Sequence, residues 1–436
     1  MAEKKHISKK KKILIAVLVL LTVIAGVLVY LHDDFYKIPK SRIGLTESYA
    51  EMPEDRFHHY INLPIDHKQT ASGNFRGFYQ LSPNFYKSKN ITFLLTDGQM
   101  ELVSTKTDFQ FFENVLRGSS YVLIGVRGHL PTLFPEVYKN GKVDYAMATK
   151  LFDSDQQVED IELVRLDLIK KGILGKDDKI NIFGASGAGI LAQQYISKYG
   201  SKVNRVLLES TGAPDLSEQF GLKYSPNFNN YNPEAAKILD AILRQQSIDK
   251  QSLSNILYQI GRSEKSPKEA QIKLLEEIKN GGSLFSYKFK PITNLEVLNY
   301  MIKPPQEIAA RVRWFELVGY DLLRYDSQKE TNLLYEFSLK AISDLLEYHK
   351  NNNISAKKFH LKRSEFLGEV LILKGTEDVV FSDEINQKIQ QSYPNSKLLF
   401  FKDGHKMLND TEKYIHIRNT FLNQGFNSEE FIKLTQ

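Results

Sequence analysis

KINIFGASGAG, residues 179–189, decides how the chain is read. Residues 179–183 alternate apolar and polar side chains as a short strand does, and 187–199 continue with helical spacing. Between them Gly184-Ala185-Ser186-Gly187-Ala188-Gly189 puts a serine at the tip of a strand-to-helix turn. A hydroxyl there sits at a helix N-terminus beside backbone N–H donors, on a backbone held in a strained conformation. That arrangement suits a nucleophile. Small residues are needed where strand and helix converge, and Gly184 and Ala188 supply them two positions either side of Ser186. The same letters admit a second reading. Gly184, Gly187 and Gly189 after a strand, with Glu209 about twenty residues on, also resemble a dinucleotide-binding turn. Such a turn normally opens its fold, whereas here four strand-like segments come first.

Those segments are 57–63, 75–81, 91–96 and 121–126, and 203–209 follows the turn. Val158, Ile161, Val164 and Leu168 recur at helical spacing and predict a helix over 155–171. Strands alternating with helices predict a mostly parallel sheet covered on both faces. The alternation stops near Gly212. Residues 213–365 read as mainly helical, with helices expected over 234–245, 268–279, 305–325 and 333–350. It resumes with strands at 369–374 and 397–401, a helix at 383–391 and a last helix from 411. One sheet domain, 56–212 plus 366–436, interrupted by a helical cap at 213–365, is the economical organisation.

The two readings of the turn differ in what they require of the C-terminal part. A dinucleotide site requires nothing there. A serine nucleophile of this kind requires an acid after a late strand and then a histidine after the final one. EVLILK is followed by Gly375-Thr376-Glu377-Asp378, and KLLFF by Lys402-Asp403-Gly404-His405. Ser186, Asp378 and His405 therefore form the expected triad, with His405 as base and Asp378 orienting it. Glu377 is the alternative acid, but the Gly-x-x-Asp spacing favours its neighbour. An oxyanion needs two preorganised donors; the backbone N–H groups of Gly187 and of Gln99, in Asp97-Gly98-Gln99-Met100 after the third strand, are the expected pair.

These residues resemble the serine peptidases of the α/β-hydrolase fold, the proline iminopeptidases and tripeptidyl aminopeptidases, over about 57–212 and 366–436. Leu63-Pro64-Ile65-Asp66-His67 with Phe75-Arg76 looks like their first strands, and Val126-Arg127-Gly128-His129 is similar to their D-x-R-G-x-G stretch. The resemblance implies an α/β-hydrolase fold with a helical cap whose acids bind a substrate's free amino terminus. Arg313-Trp314-Phe315-Glu316 is similar to the family's Trp/Glu cap segment, which makes Glu316 and Trp314 the implied substrate-binding residues. Asp97-Gly98-Gln99-Met100 departs from the family's His-Gly-Gly-Pro-Gly-like run, as do Ala188 and Val126 from its pattern. An esterase acting on small esters or lipids, or a catalytically silent surface protein that uses the fold for binding, are the alternatives.

At 42% hydrophobic and 25% charged residues, the composition is that of a folded protein rather than a disordered one. With no cysteine, disulfides, thiolate metal sites, a thiol nucleophile and a lipoprotein anchor are excluded. No HExxH-like motif occurs, so neither a metal nor a cofactor is expected. Six of the 58 basic residues fall in positions 1–12 against one acid, and the remainder is close to neutral. That distribution argues against a nucleic-acid partner. The apolar run 13–31 follows the lysines at once and would span about 28 Å as a helix. Lysines before it and Asp33-Asp34 after it predict a membrane anchor with a cytoplasmic tail (1–12), a stalk (32–55) and an extracellular catalytic domain acting on a peptide or small ester. A cleaved signal peptide would have a shorter apolar core and a small-x-small site, which 27–31 lacks.

Overall fold

The computed structural model describes residues 9–36, 38, 51–129, 134–245, 248–282 and 295–436. Residues 1–8 of the expected basic tail, and residues 37 and 39–50 of the expected stalk, lie outside the described residues.

Eight strands form one sheet: β1 (His58–Pro64), β2 (Asn74–Leu81), β3 (Thr92–Leu95), β4 (Tyr121–Ile124), β5 (Ile180–Ala185), β6 (Val203–Glu209), β7 (Glu369–Gly375) and β8 (Ser396–Phe401). Their spatial order is β1-β2-β4-β3-β5-β6-β7-β8. β2 runs antiparallel to both its neighbours, and every other pair is parallel. Each segment read as a strand in the sequence lies in this sheet. Parallel neighbours cannot be joined by a hairpin, so helices carry the crossovers. Ser154–Lys170 comes between β4 and β5, Gly187–Tyr199 between β5 and β6, and Asp383–Ser392 between β7 and β8.

Side-chain alternation along the strands divides the core in two. Ile182, Val206, Leu208 and Ile372 share a cluster with Val158, Ile161 and Leu191 of the crossover helices. Phe183, Leu207, Leu371 and Leu373 share the other with Phe112, Ile417 and Phe421. The register sets where the strands end. Leu95 pairs with Gly184, Ala185 with Glu209, Glu209 with Leu373, and Gly375 with Phe401. The carboxyl ends of β3, β5, β6, β7 and β8 therefore open on a single rim.

Between β6 and β7 the described residues are helical and cover that rim with a cluster of their own, including Tyr224, Leu257, Trp314, Leu317 and Phe337. The cap departs from the sequence expectation in detail, as two of its helices show. The helix expected over 333–350 is two helices, Leu333–Ala341 and Ser343–Asn351, because Ile342 leaves helical geometry (φ −124°, ψ 31°). The helix Lys250–Ser263 was not anticipated, although Leu253, Ile256, Leu257 and Ile260 carry the spacing of a buried stripe.

The N-terminal apolar run lies in the helix Lys9–Phe35. Its described side chains run unbroken over 14–30, about 25 Å of helix, and Leu14, Leu18, Leu21 and Leu28 are exposed. Among the described residues no helix is long and apolar enough to cross a membrane.

Candidate active site

Ser186 stands between β5 and the helix Gly187–Tyr199 with φ 53° and ψ −126°, a positive φ that a side chain rarely adopts. Its neighbours hold it there. Ser186 N–H donates to the Glu209 carbonyl at the end of β6, and the Thr211 hydroxyl donates to the Ser186 carbonyl. A Cβ at Gly184 would collide with the Ala188 carbonyl, and one at Gly189 with the Thr211 side chain. The turn therefore needs its glycines at 184 and 189 for close approach. It accommodates Ala188, which is buried against the neighbouring core.

The loops after β7 and β8 bring two more side chains to this serine. His405 Nε2 lies 3.1 Å from Ser186 Oγ, and His405 Nδ1 lies 3.0 Å from Asp378 Oδ1. These partners assign the tautomer: Nδ1–H donates to the carboxylate, and Nε2 accepts the serine hydroxyl. Asp378 Oδ1 also accepts the backbone N–H of Val380 at 2.7 Å. Burial pushes the Asp378 carboxyl up, but Lys374 and His405 outweigh it and bring its pKa down to about 2. The acid is thus an anion at any ordinary pH. Glu377 makes no such contact; its backbone N–H donates to the Asp403 carbonyl.

This rim and this turn settle the architecture. The fold is that of the α/β hydrolases. The strand order, the antiparallel second strand, the serine elbow after β5 and the helical cover between β6 and β7 identify it. Among solved structures the chain is similar to an esterase from Exiguobacterium antarcticum (TM-score 0.40, 14% identity, covering 80% of this chain and 97% of that one). It is also similar to an esterase from a Rhodococcus species (TM-score 0.41, 13% identity, 80% and 96%) and to a meta-cleavage product hydrolase from Pseudomonas fluorescens (TM-score 0.41, 14% identity, 80% and 95%). No family model and no curated protein matches the sequence.

The expected oxyanion donors fare differently. Gly187 opens the helix after the nucleophile, and its N–H is among the first-turn donors that have no partner within the helix. The backbone N–H of Gln99 is engaged: it donates to Asp97 Oδ1 at 3.0 Å. The expectation that Gln99 presents a free donor is therefore corrected, because the acid two residues earlier closes a turn onto it. Asp97 Oδ2 lies where a Cβ at Gly187 would be, so the carboxyl stands directly against the elbow. Burial, opposed by the Gln99 N–H and by Arg313, His129 and Arg262, pushes the Asp97 carboxyl up.

Three successive carbonyls of this loop are each held by a distant side chain. Arg313 Nε donates to Asp97 O at 2.8 Å, His129 Nε2 to Gly98 O at 2.7 Å, and the Tyr300 hydroxyl to Gln99 O at 2.5 Å. Gly98 has φ 84°, which the loop needs to turn. Arg313 and Tyr300 belong to the cap, so cap and oxyanion loop are one hydrogen-bonded unit.

Of the two implied cap residues, Trp314 lines the space above Ser186 and His405, with its indole N–H bonded to Ser338. Glu316 does not line it. The Glu316 carboxylate pairs with Arg313 and with Lys357 at 3.2 Å and accepts the Ser154 N–H at 3.1 Å. It is buried in an ion network between the cap and the helix Ser154–Lys170. Glu316 as an amine ligand is corrected on that ground.

Glu209, the acid of the dinucleotide reading, is likewise committed, bound by Arg418 through two hydrogen bonds of 2.8 and 2.9 Å. Among the described residues no group of His, Asp and Glu could hold a metal ion. The free space over the triad is about 20 Å³, enclosed by Tyr224, Tyr258, Trp314, Leu317, Val380 and Phe381. That is room for a water molecule and no more. Sequence reasoning missed Asp97, Arg313, His129, Tyr300 and Lys374; the signal for Lys374 was a charge that directly follows the apolar run 370–373, just before Gly375.

Proposed function

We propose that the chain is a serine hydrolase that works through an acyl-enzyme, with Ser186 as nucleophile, His405 as general acid and base, and Asp378 as its anionic support. The hydrogen-bonded line from Asp378 Oδ1 through His405 to Ser186 Oγ carries this reading. Ser186 Oγ attacks the substrate carbonyl while His405 Nε2 takes its proton. The imidazolium, stabilised by Asp378, returns that proton to the leaving group, and water then repeats the sequence on the acyl-enzyme.

The lining of the site favours an apolar acyl group. Trp314, Leu317, Val318, Leu334 and Phe381 surround the nucleophile. The cap acid that would have supported an aminopeptidase, Glu316, is held by Arg313 and Lys357. Ester hydrolysis is therefore the first reading, and removal of residues from a peptide's amino terminus is the second. The anchor belongs to the same proposal: the apolar run 13–31, with lysines before it and acids after it, holds the catalytic domain at the outer face of a membrane.

A fluorophosphonate probe should label the wild type and leave Ser186→Ala unlabelled. Equal labelling of both would remove Ser186 as nucleophile. Turnover of p-nitrophenyl esters against aminoacyl arylamides ranks the two substrate classes.

A further inference from the structure

Charged side chains inside a parallel sheet are costly unless paired, and β7 carries one. Lys374, the penultimate residue of β7, is fully buried. Its Nζ lies 3.2 Å from Asp378 Oδ2, 3.3 Å from Asp383 Oδ1, and 2.7 Å from the Gly375 carbonyl to which it donates. The carboxylate of Asp378 is thus divided between two partners: Oδ1 serves the His405 imidazole and the Val380 N–H, while Oδ2 faces the Lys374 ammonium without an aligned hydrogen bond. Asp383, in the first turn of the helix Asp383–Ser392, competes for the same ammonium and is half exposed.

We propose that Lys374 is a positioning residue that fixes Asp378 with Oδ1 toward His405 and sets the acid limit of the reaction. This rests on the serine-hydrolase reading. An ammonium next to the acid has two effects. It keeps Asp378 ionised under acidic conditions, and it opposes the positive charge that the imidazole takes on when protonated. Both extend the range in which the pair is ready as anion and neutral base to lower pH. Other groups face this pair from the packed elements. Tyr224 and Tyr231 of the cap lie near enough to Asp378 for its charge to add to the upward push that burial gives their hydroxyls, and Arg262, from the helix Lys250–Ser263, lines the space beside His405. Asp403 is turned away, bonded to Gly404, Leu408, Asn409 and Tyr414.

The test is the acid limb of kcat/KM for p-nitrophenyl butyrate and of fluorophosphonate labelling, measured with the full chain. Lys374→Met should move that limb up by about one pH unit. Asp383→Asn, a change on the half-exposed side of the ammonium, should move it down by a few tenths of a unit, since Asp378 is then the one carboxylate beside Lys374. Lys374→Arg should restore most of the wild-type profile. A purely structural role predicts lower activity at all pH values with the limb unmoved. An unshifted limb in both Asp383→Asn and Lys374→Met overturns the proposal, and Asp383→Asn keeps it decidable should Lys374→Met fail to fold. A wild type unlabelled at every pH overturns the serine-hydrolase reading, and this proposal with it.

Discussion

The Gln99 backbone N–H and the Asp97 carboxylate are joined by a 3.0 Å hydrogen bond across the tip of the loop that follows β3. The donor this loop could offer an oxyanion is taken up by the Asp97 carboxyl, which also stands against Gly187, the other donor. One oxyanion donor is worth roughly 10²–10³ in kcat. Asp97→Ala, which frees the Gln99 amide and clears the carboxyl from Gly187, should therefore raise kcat for an activated ester by about tenfold or more. Asp97→Asn keeps an acceptor for the amide and should raise it less. A fall in kcat with Asp97→Ala, read in steady-state ester assays, would show that the carboxyl itself serves the reaction.

Glu316 is predicted to matter for stability and not for substrate choice. Its carboxylate neutralises Arg313 and Lys357 in a buried network that includes Ser154. Glu316→Gln leaves the buried Arg313 without its paired carboxylate, while Lys357 keeps Asp153 and Asp155, and should lower unfolding free energy by about 3 kcal/mol, measured by urea titration. The ratio of arylamide to ester turnover should stay as in wild type. A selective loss of arylamide turnover would return Glu316 to the role of amine ligand.

The chemistry at the rim was legible because it rests on local rules. A serine between a strand and a helix, an acid three residues beyond Gly375 and a histidine after β8 each sit next to a recognisable strand end. The eight strands were legible for the same reason, since buried runs such as ITFLLT and YVLIGV have no other stable setting. What eluded the sequence depends on contacts between segments far apart in the chain. Whether the Gln99 amide is free depends on how Asp97 turns, and Asp97 is in turn held by Arg313, 216 residues away. Glu316 looked available because a charge on a helix is ordinarily solvated; its partner Lys357 comes from outside that helix. The break at Ile342 follows from how two cap helices seat, which periodicity alone does not show.

Gly184→Ala is predicted to unfold the elbow. The added methyl would meet the backbone carbonyl of Ala188, which cannot rotate away as a side chain could. Overpacking of this kind costs about 1–3 kcal/mol, and here it also pushes strand from helix under the nucleophile. The expected outcome is a melting temperature lower by several degrees together with loss of fluorophosphonate labelling. A variant with wild-type melting and labelling would show that β5 and the helix after it are further apart than described.

Asp378 makes the protein's stability depend on acid. Its carboxyl is held at a pKa of about 2, below the ordinary carboxylate value of 3.8 that an unfolded chain would show. The depressed value means that ionised Asp378 contributes stability above the unfolded value, and that this contribution disappears as pH falls through the folded one. A shift of that size corresponds to roughly 2 kcal/mol, lost between about pH 5 and pH 2. In wild type the unfolding free energy should decline over that window more steeply than in Asp378→Asn, which has no carboxyl to titrate. The slope is the readout and not the offset, because Asn removes one of the two carboxylates beside Lys374 at every pH. Equal slopes for the two proteins in urea unfolding across pH 2–5 would mean that Lys374 and His405 do not hold the carboxylate as their distances indicate.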